Sequence, residues 1–160
     1  MVSTNYKPEI AIVYTSVTGN TEAAAIILQD AAAARSLNIK MWTVQDFPIS
    51  EIPHCDAILV GTYTWGKGEI PKEMDSLFEA FERLNRKELV TGVFGTGDSF
   101  FADYCGAVDQ FRDMLFVHTS LAATLKIELA PQEKDIEKCR KFVESVIKCL
   151  ARTRCVPGTL

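Results

Sequence analysis

The sequence predicts an α/β fold in which a five-stranded parallel sheet is covered by helices on both faces. Three observations carry this. Strand-like apolar segments alternate with helix-like segments along the whole chain, the first and third of the strand-like runs are apolar at every position, and only the last shows strict alternation. Unbroken apolar runs suit strands buried on both faces, and right-handed crossovers place helices on both sides of such a sheet.

The elements follow in order. Ile10 to Tyr14 is a wholly apolar interior strand. A helix from about Thr21 to Ser36 comes next, rich in alanine, with Ala24, Ile27, Leu28 and Ala31 on one stripe. A second strand is expected at Ile39 to Val44, then a loop with Pro48 and Pro53, then a third strand at Ala57 to Val60. From Pro71 onward Met74, Leu77, Phe78, Phe81 and Leu84 recur at three- and four-residue steps, while Glu73, Asp75, Glu79 and Glu82 occupy the polar positions of this amphipathic helix. Leu89 to Thr96 is the fourth strand, and Val108, Phe111 and Leu115 mark a helix from about Asp103 to Phe116. In Leu125 to Leu129 apolar and charged residues alternate, as on an edge strand with one solvated face. Ile136, Cys139, Val143, Val146, Ile147 and Leu150 form the stripe of a long final helix.

At 160 residues the chain is expected to be one domain, 1–160, with a core over about 9–151 and a frayed tail at 152–160. Its 48% apolar and 24% charged residues exclude a disordered or collagen-like chain. A formal charge of −4 without a basic stripe argues against nucleic-acid binding. No membrane span and no secretory signal are read, which points to the cytoplasm. The five cysteines lack any C-x-x-C spacing and read as buried or incidental thiols, with Cys155 near the tail open to cross-linking. His54 and His118 read as surface or packing residues.

In open parallel sheets ligands sit beyond the carboxyl ends of the strands, so the loops after the first, third and fourth strands are the candidates. The first, Thr15-Ser16-Val17-Thr18-Gly19-Asn20-Thr21, is dense in hydroxyls and opens a helix. Free amides and the positive end of the helix dipole suit a phosphate there, and a Ser/Thr-rich N-cap is the plainer alternative. Neither the Walker nor the G-x-G-x-x-G pattern is present, which leaves a mononucleotide phosphate. The second, Gly61-Thr62-Tyr63-Thr64-Trp65-Gly66-Lys67-Gly68, offers an indole able to stack on a flat ring or to pack half-buried. The third, Gly95-Thr96-Gly97-Asp98-Ser99-Phe100-Phe101-Ala102-Asp103-Tyr104-Cys105-Gly106, again presents aromatics, which either clamp the same ring or pack beneath a helix.

In order and spacing these loops resemble the flavodoxins, over nearly the whole chain from Ile10 to about Leu150. The resemblance rests on Ser16-Val17-Thr18-Gly19-Asn20-Thr21, on Thr62-Tyr63-Thr64-Trp65-Gly66, and on Gly95-Thr96-Gly97-Asp98-Ser99 followed by Cys105-Gly106-Ala107-Val108-Asp109. It implies a flavodoxin-like three-layer α/β/α sandwich with sheet order 2-1-3-4-5 and a non-covalent FMN. The final strand lacks the insertion of long-chain members, which implies a short-chain flavodoxin. Ser16, Thr18, Asn20 and Thr21, with loop amides, are then expected to hold the phosphate. Trp65 and Phe101 would flank the isoalloxazine, and backbone around Asp98 and Cys105 would meet its pyrimidine edge. Thr15, Val17, Gly19, Thr62, Tyr63, Thr64, Gly66, Lys67, Gly68, Thr96, Gly97 and Tyr104 complete the expected binding set.

Three positions depart from the family pattern. Phe101 stands where a tyrosine is usual, Lys67 where many relatives carry aspartate, and Val17 where some carry a hydroxyl. Lys67 is expected to make the hydroquinone potential less negative, because an opposite charge favours the anionic reduced ring. No nucleophile, triad or metal-ligand cluster emerges, so the chemistry is expected to be the cofactor's. The resemblance implies a monomeric, low-potential carrier cycling between semiquinone and hydroquinone, with the Gly66 carbonyl turning toward the ring. Its partners would be a flavoprotein reductase of the ferredoxin/flavodoxin-NADP reductase type and redox-enzyme acceptors. Two alternatives stay open: an FMN-dependent NAD(P)H:quinone reductase, and a flavodoxin-like activator module.

Overall fold

The computed structural model describes residues 7–155. Five strands, β1 (Ile10–Tyr14), β2 (Ile39–Thr43), β3 (Ala57–Tyr63), β4 (Val90–Gly97) and β5 (Ser120–Glu128), form one sheet in the order 2-1-3-4-5, and every neighbouring pair is parallel. This is the expected architecture and order. Helices α1 (Asn20–Ala33) and α4 (Glu133–Cys155) cover one face, and α2 (Asp75–Leu84) and α3 (Gly106–His118) cover the other.

The unbroken apolar run of β1 serves both layers. Ile10, Ile12 and Tyr14 pack with Leu28, Leu59, Phe94 and Phe142 under α1 and α4, while Ala11 and Val13 pack with Val60, Phe81 and Phe111 under α2 and α3. Successive strand residues point to opposite faces, and here both faces are dry, so the period of two leaves no mark in hydropathy. Phe78 and Phe94 extend these layers through edge-on contacts with Phe111 and Phe142, at ring separations of 5.0 and 6.2 Å.

Several boundaries differ from expectation for local reasons. β5 starts at Ser120, five residues before the alternating run, because its first half is only partly buried on both sides and carries no alternation. Its pairing with β4 jumps from Leu121 to Ala123, which leaves Ala122 as the extra residue of a bulge at the sheet edge. β3 extends through Tyr63 and β4 through Gly97, so the first residues of two candidate loops are strand. α3 begins at Gly106, not Asp103, because Cys105 takes a left-handed conformation with φ 52°. A 3-10 turn, Lys72–Met74, precedes α2, whose end is set by Asn85 at φ 46° donating its N–H to Phe81 O.

The expected frayed tail is corrected in part. α4 continues to Cys155, so residues 152–155 are helical, and positions 156–160 lie outside the described residues. Cys105, Cys139 and Cys149 are buried and Cys55 is half-buried, all as thiols, whereas the Cys155 side chain lies outside the described residues. Among the described residues no helix is long and apolar enough to cross a membrane.

Candidate functional site

The three loops emerge side by side at the carboxyl ends of β1, β3 and β4 because those strands are adjacent in the sheet. In the first loop, Gly19 supplies a turn at φ 92° that ordinary side chains resist, and α1 starts directly after it. The amides of Gly19 and Glu22 both donate to Ser16 Oγ, at 3.1 and 3.3 Å. Two helix-start donors thus converge on one neutral oxygen, the arrangement that suits an anion. Val17 and Thr18 are exposed at the rim, and Thr21 is buried with its hydroxyl 2.8 Å from Thr96 Oγ1, which ties the loop to β4.

The second loop is a tight hairpin. Trp65 and Glu69 exchange backbone hydrogen bonds of 2.8 and 2.7 Å, with Gly66 at φ 50° and Gly68 at φ 93° between them. Gly68 is pressed against the start of α3: a Cβ on Gly106 would lie 2.7 Å from Gly68 Cα. Gln110 Nε2 also donates to Gly68 O at 2.6 Å, and the Ala107 amide donates to Thr64 Oγ1 at 3.2 Å. The second and third loops therefore form one packed unit.

The third loop is gripped from the edge strand. The Leu129 amide donates to Gly97 O at 2.8 Å, and Ser99 Oγ donates to the Glu128 carboxylate. Lys126 Nζ lies 2.9 Å from Asp109, within 3.4 Å of Tyr104 O, and 5.8 Å from the centre of the Tyr104 ring. Sequence alternation reads Lys126 and Glu128 as solvated. In the structure they hold the two limbs of an aromatic loop.

These loops enclose two adjoining clefts that share Thr64, Gly97 and Asp98. One, of about 470 Å³, is walled by Gly66, Lys67, Phe101, Ala102, Asp103, Tyr104 and Cys105. The other, of about 280 Å³, is walled by Val17, Thr18, Asn20, Thr21, Tyr63, Thr96 and Leu129. Most of the expected binding residues thus come together. Thr15, Ser16 and Gly19 instead line a neighbouring hollow that shares Val17 with the second cleft, and Thr62 is fully buried with its hydroxyl on Tyr63 O. Gly68 is buried between loops, and Trp65, 61% exposed, stands outside both cleft walls. Phe100 and Phe101, 94% and 68% exposed, do not pack beneath a helix.

Ala102, Asp103 and Leu129 join the walls without a sequence signal, and Glu73 was legible only as a polar helix position. Glu73 Oε2 accepts hydrogen bonds from Thr15 Oγ1 at 2.7 Å and from Tyr63 OH at 2.8 Å. Burial alone would raise its pKa, but the Thr15 hydroxyl, its own amide and the Tyr63 phenol hold it below the usual carboxylate value. Burial, reinforced by Glu73, pushes the Tyr63 phenol up to about 12. Burial likewise takes Tyr104 to about 12 and the Cys105 thiol to about 11, so both stay neutral in the cleft wall.

The donor set fits FMN. Small hydroxyls at the α1 start wall one cleft, the hollow that holds Ser16 and Gly19 meets it at Val17, and an aromatic-walled cleft of ligand-sized volume adjoins it.

Comparison with known proteins agrees. Residues 12–142 match the family described as Flavodoxin. "Probable flavodoxin 1" of Bacillus subtilis is 37% identical over 139 residues, covering 85% of this chain and 88% of that protein. The solved Streptococcus pneumoniae TIGR4 flavodoxin superimposes with a TM-score of 0.81 at 33% identity, over 87% of this chain and 97% of its own. The sulfite reductase flavoprotein alpha-component of Klebsiella pneumoniae is 30% identical over 68% of this chain but only 18% of that protein, so related domains also occur within larger reductases.

Proposed function

This chain belongs to the flavodoxin family, whose members carry electrons on FMN, and on that premise we propose that it shuttles single electrons at low potential from a flavoprotein reductase to redox-enzyme acceptors. The observation that supports this reading is the pair of adjoining clefts, polar at the α1 start and aromatic beside Phe101 and Tyr104. When bound, FMN supplies the capacity to take up and release electrons one at a time.

The protein's own residues bind, orient and shield. Amides of Gly19 and Glu22, with Ser16, Thr18, Asn20 and Thr21, hold the phosphate, and because these donors are neutral the dianion is not matched by a side-chain cation. Phe101 and Tyr104 wall the ring end against water, and Trp65 stands ready on the rim to cover it. Asp98 and Cys105 line the same cleft, where their backbone groups would meet the polar edge of the ring. Exposed Trp65, Phe100 and Phe101 leave an apolar rim where a donor or acceptor protein docks over a small, transient interface.

Anaerobic stepwise photoreduction of the FMN-loaded protein tests the proposal. A long-wavelength absorbance that rises and then falls between the oxidised and fully reduced spectra is expected. Direct conversion with no such band would favour a two-electron reductase.

A further inference from the structure

Three segments, one of them about fifty residues from the other two, meet on one oxygen atom beside the site. Oε2 of Glu73 receives the hydroxyl protons of both Thr15 and Tyr63, at 2.7 and 2.8 Å. Thr15 leads into the phosphate loop, and its amide also donates to Gly61 O of β3 at 3.0 Å. Tyr63 ends β3 and leads into the Trp65 hairpin, and Glu73 sits in the 3-10 turn ahead of α2. A hydroxyl has one proton to donate, so both are committed to this carboxylate.

Glu73 lines neither cleft. Its negative charge also lies on the wrong side of the ledger for a neighbouring dianion, since like charges repel. A direct binding role is therefore excluded by sign and by position. What the carboxylate does provide is two charge-assisted hydrogen bonds, stronger than neutral ones, that join the entrance of one loop to the entrance of the other. Its depressed pKa keeps it ionised through the neutral range, so both bonds persist there.

We infer that Glu73 is a positioning residue that links the phosphate loop to the Trp65 hairpin, so that anchoring the phosphate of FMN organises the ring end of the site. This rests on the FMN reading above. Riboflavin, which lacks the phosphate, leaves the first loop unengaged and gains nothing from the link. The ratio of the riboflavin Kd to the FMN Kd therefore measures how far the phosphate assists the ring.

The test is titration of the apoprotein with FMN and with riboflavin, followed by quenching of flavin fluorescence. Glu73→Ala is expected to lower the ratio about tenfold, almost wholly through weaker FMN binding. Glu73→Gln, which keeps a neutral acceptor, is expected to fall between it and the wild type. Equal losses for both flavins, or no loss for either, would overturn the link.

Should Glu73→Ala melt far below the wild type, the same ratio is read in Thr15→Val and Tyr63→Phe, each lacking one of the two hydroxyls. A lowered ratio in both is expected, and because the link needs both bonds, an unchanged ratio in either overturns the inference. Wild-type protein that binds neither flavin would defeat the FMN reading itself, whereas normal FMN binding with an unaltered ratio in every variant defeats only the link.

Discussion

The first loop, residues 16–21, is shaped mainly by its own neighbours, with Thr21 tying it to Thr96 of β4, whereas the loop from Gly97 to Cys105 adds to its local turn at Asp98 a set of holds from residues distant in the chain. Ser16 Oγ gathers amides three and six positions away. The aromatic loop is held by Lys126, Glu128 and Leu129 at the end of β5, and its Cys105 end abuts Gly68 through Gly106. A phosphate site needs a few donors at a helix start, which a short segment can supply alone. A cleft for a flat ring needs two walls a fixed distance apart, and only tertiary packing sets a distance between walls.

The sharpest way to break this contrast is Gly106→Ala. Its Cβ would meet the backbone of Gly68, the Cα at 2.7 Å and the carbonyl oxygen at 2.9 Å, and neither can swing away as a side chain would. A loss of about 1–3 kcal/mol in thermal unfolding of the apoprotein is expected, because overpacking forces the backbone to move. FMN affinity should fall at least as far, since the two ring loops part. Unchanged melting would show that the loops are not one unit.

Trp65→Ala sharpens the comparison from the other side. Trp65 is 61% exposed, so its removal should leave the apoprotein's melting almost unaltered, yet titration should show FMN binding weakened by about 0.5–1.5 kcal/mol from lost stacking. Ser16→Ala should cost the apoprotein about 1 kcal/mol, the worth of a helix-start cap. The cost should shrink in the FMN-loaded protein, where phosphate can receive the orphaned amides. An equal cost in both forms would mean that these amides do not serve the phosphate.

Lys67→Asp is the mildest change. Potentiometry should show the fully reduced flavin disfavoured, with a more negative second potential. The shift should fade near 1 M salt, where the screening length is about 3 Å, because Lys67 is exposed.

The locally built parts of the molecule were legible in advance. β1, β2 and α1 lie within a few residues of their expected spans, and the hydroxyl-rich loop opens α1 as expected, because the loop and its helix are contiguous in sequence. The charged positions were only half legible, for the opposite reason: the alternating face of β5 is the more exposed one, as expected, but the contacts its charges make are not written beside them. Lys126 and Glu128 alternate with apolar residues as a solvated face should, and Glu73 sits at a polar helix position, yet each one's partner is contributed by another segment. Alternation reports which side of an element is polar, but not whether water or a loop lies on that side.

The sequence by itself determined the layers, the sheet order once the family resemblance was read, and the cofactor class, because burial patterns and loop chemistry are written in adjacent residues. Only the tertiary structure decided which residues wall the cleft, that Trp65 stands exposed outside its walls, and that Thr15 and Tyr63 are committed to Glu73. The physical reason is that a hydrogen bond or a close approach is set by distance, and distances between segments 48 or 58 positions apart exist only once the sheet has brought β1, β3 and the start of α2 together.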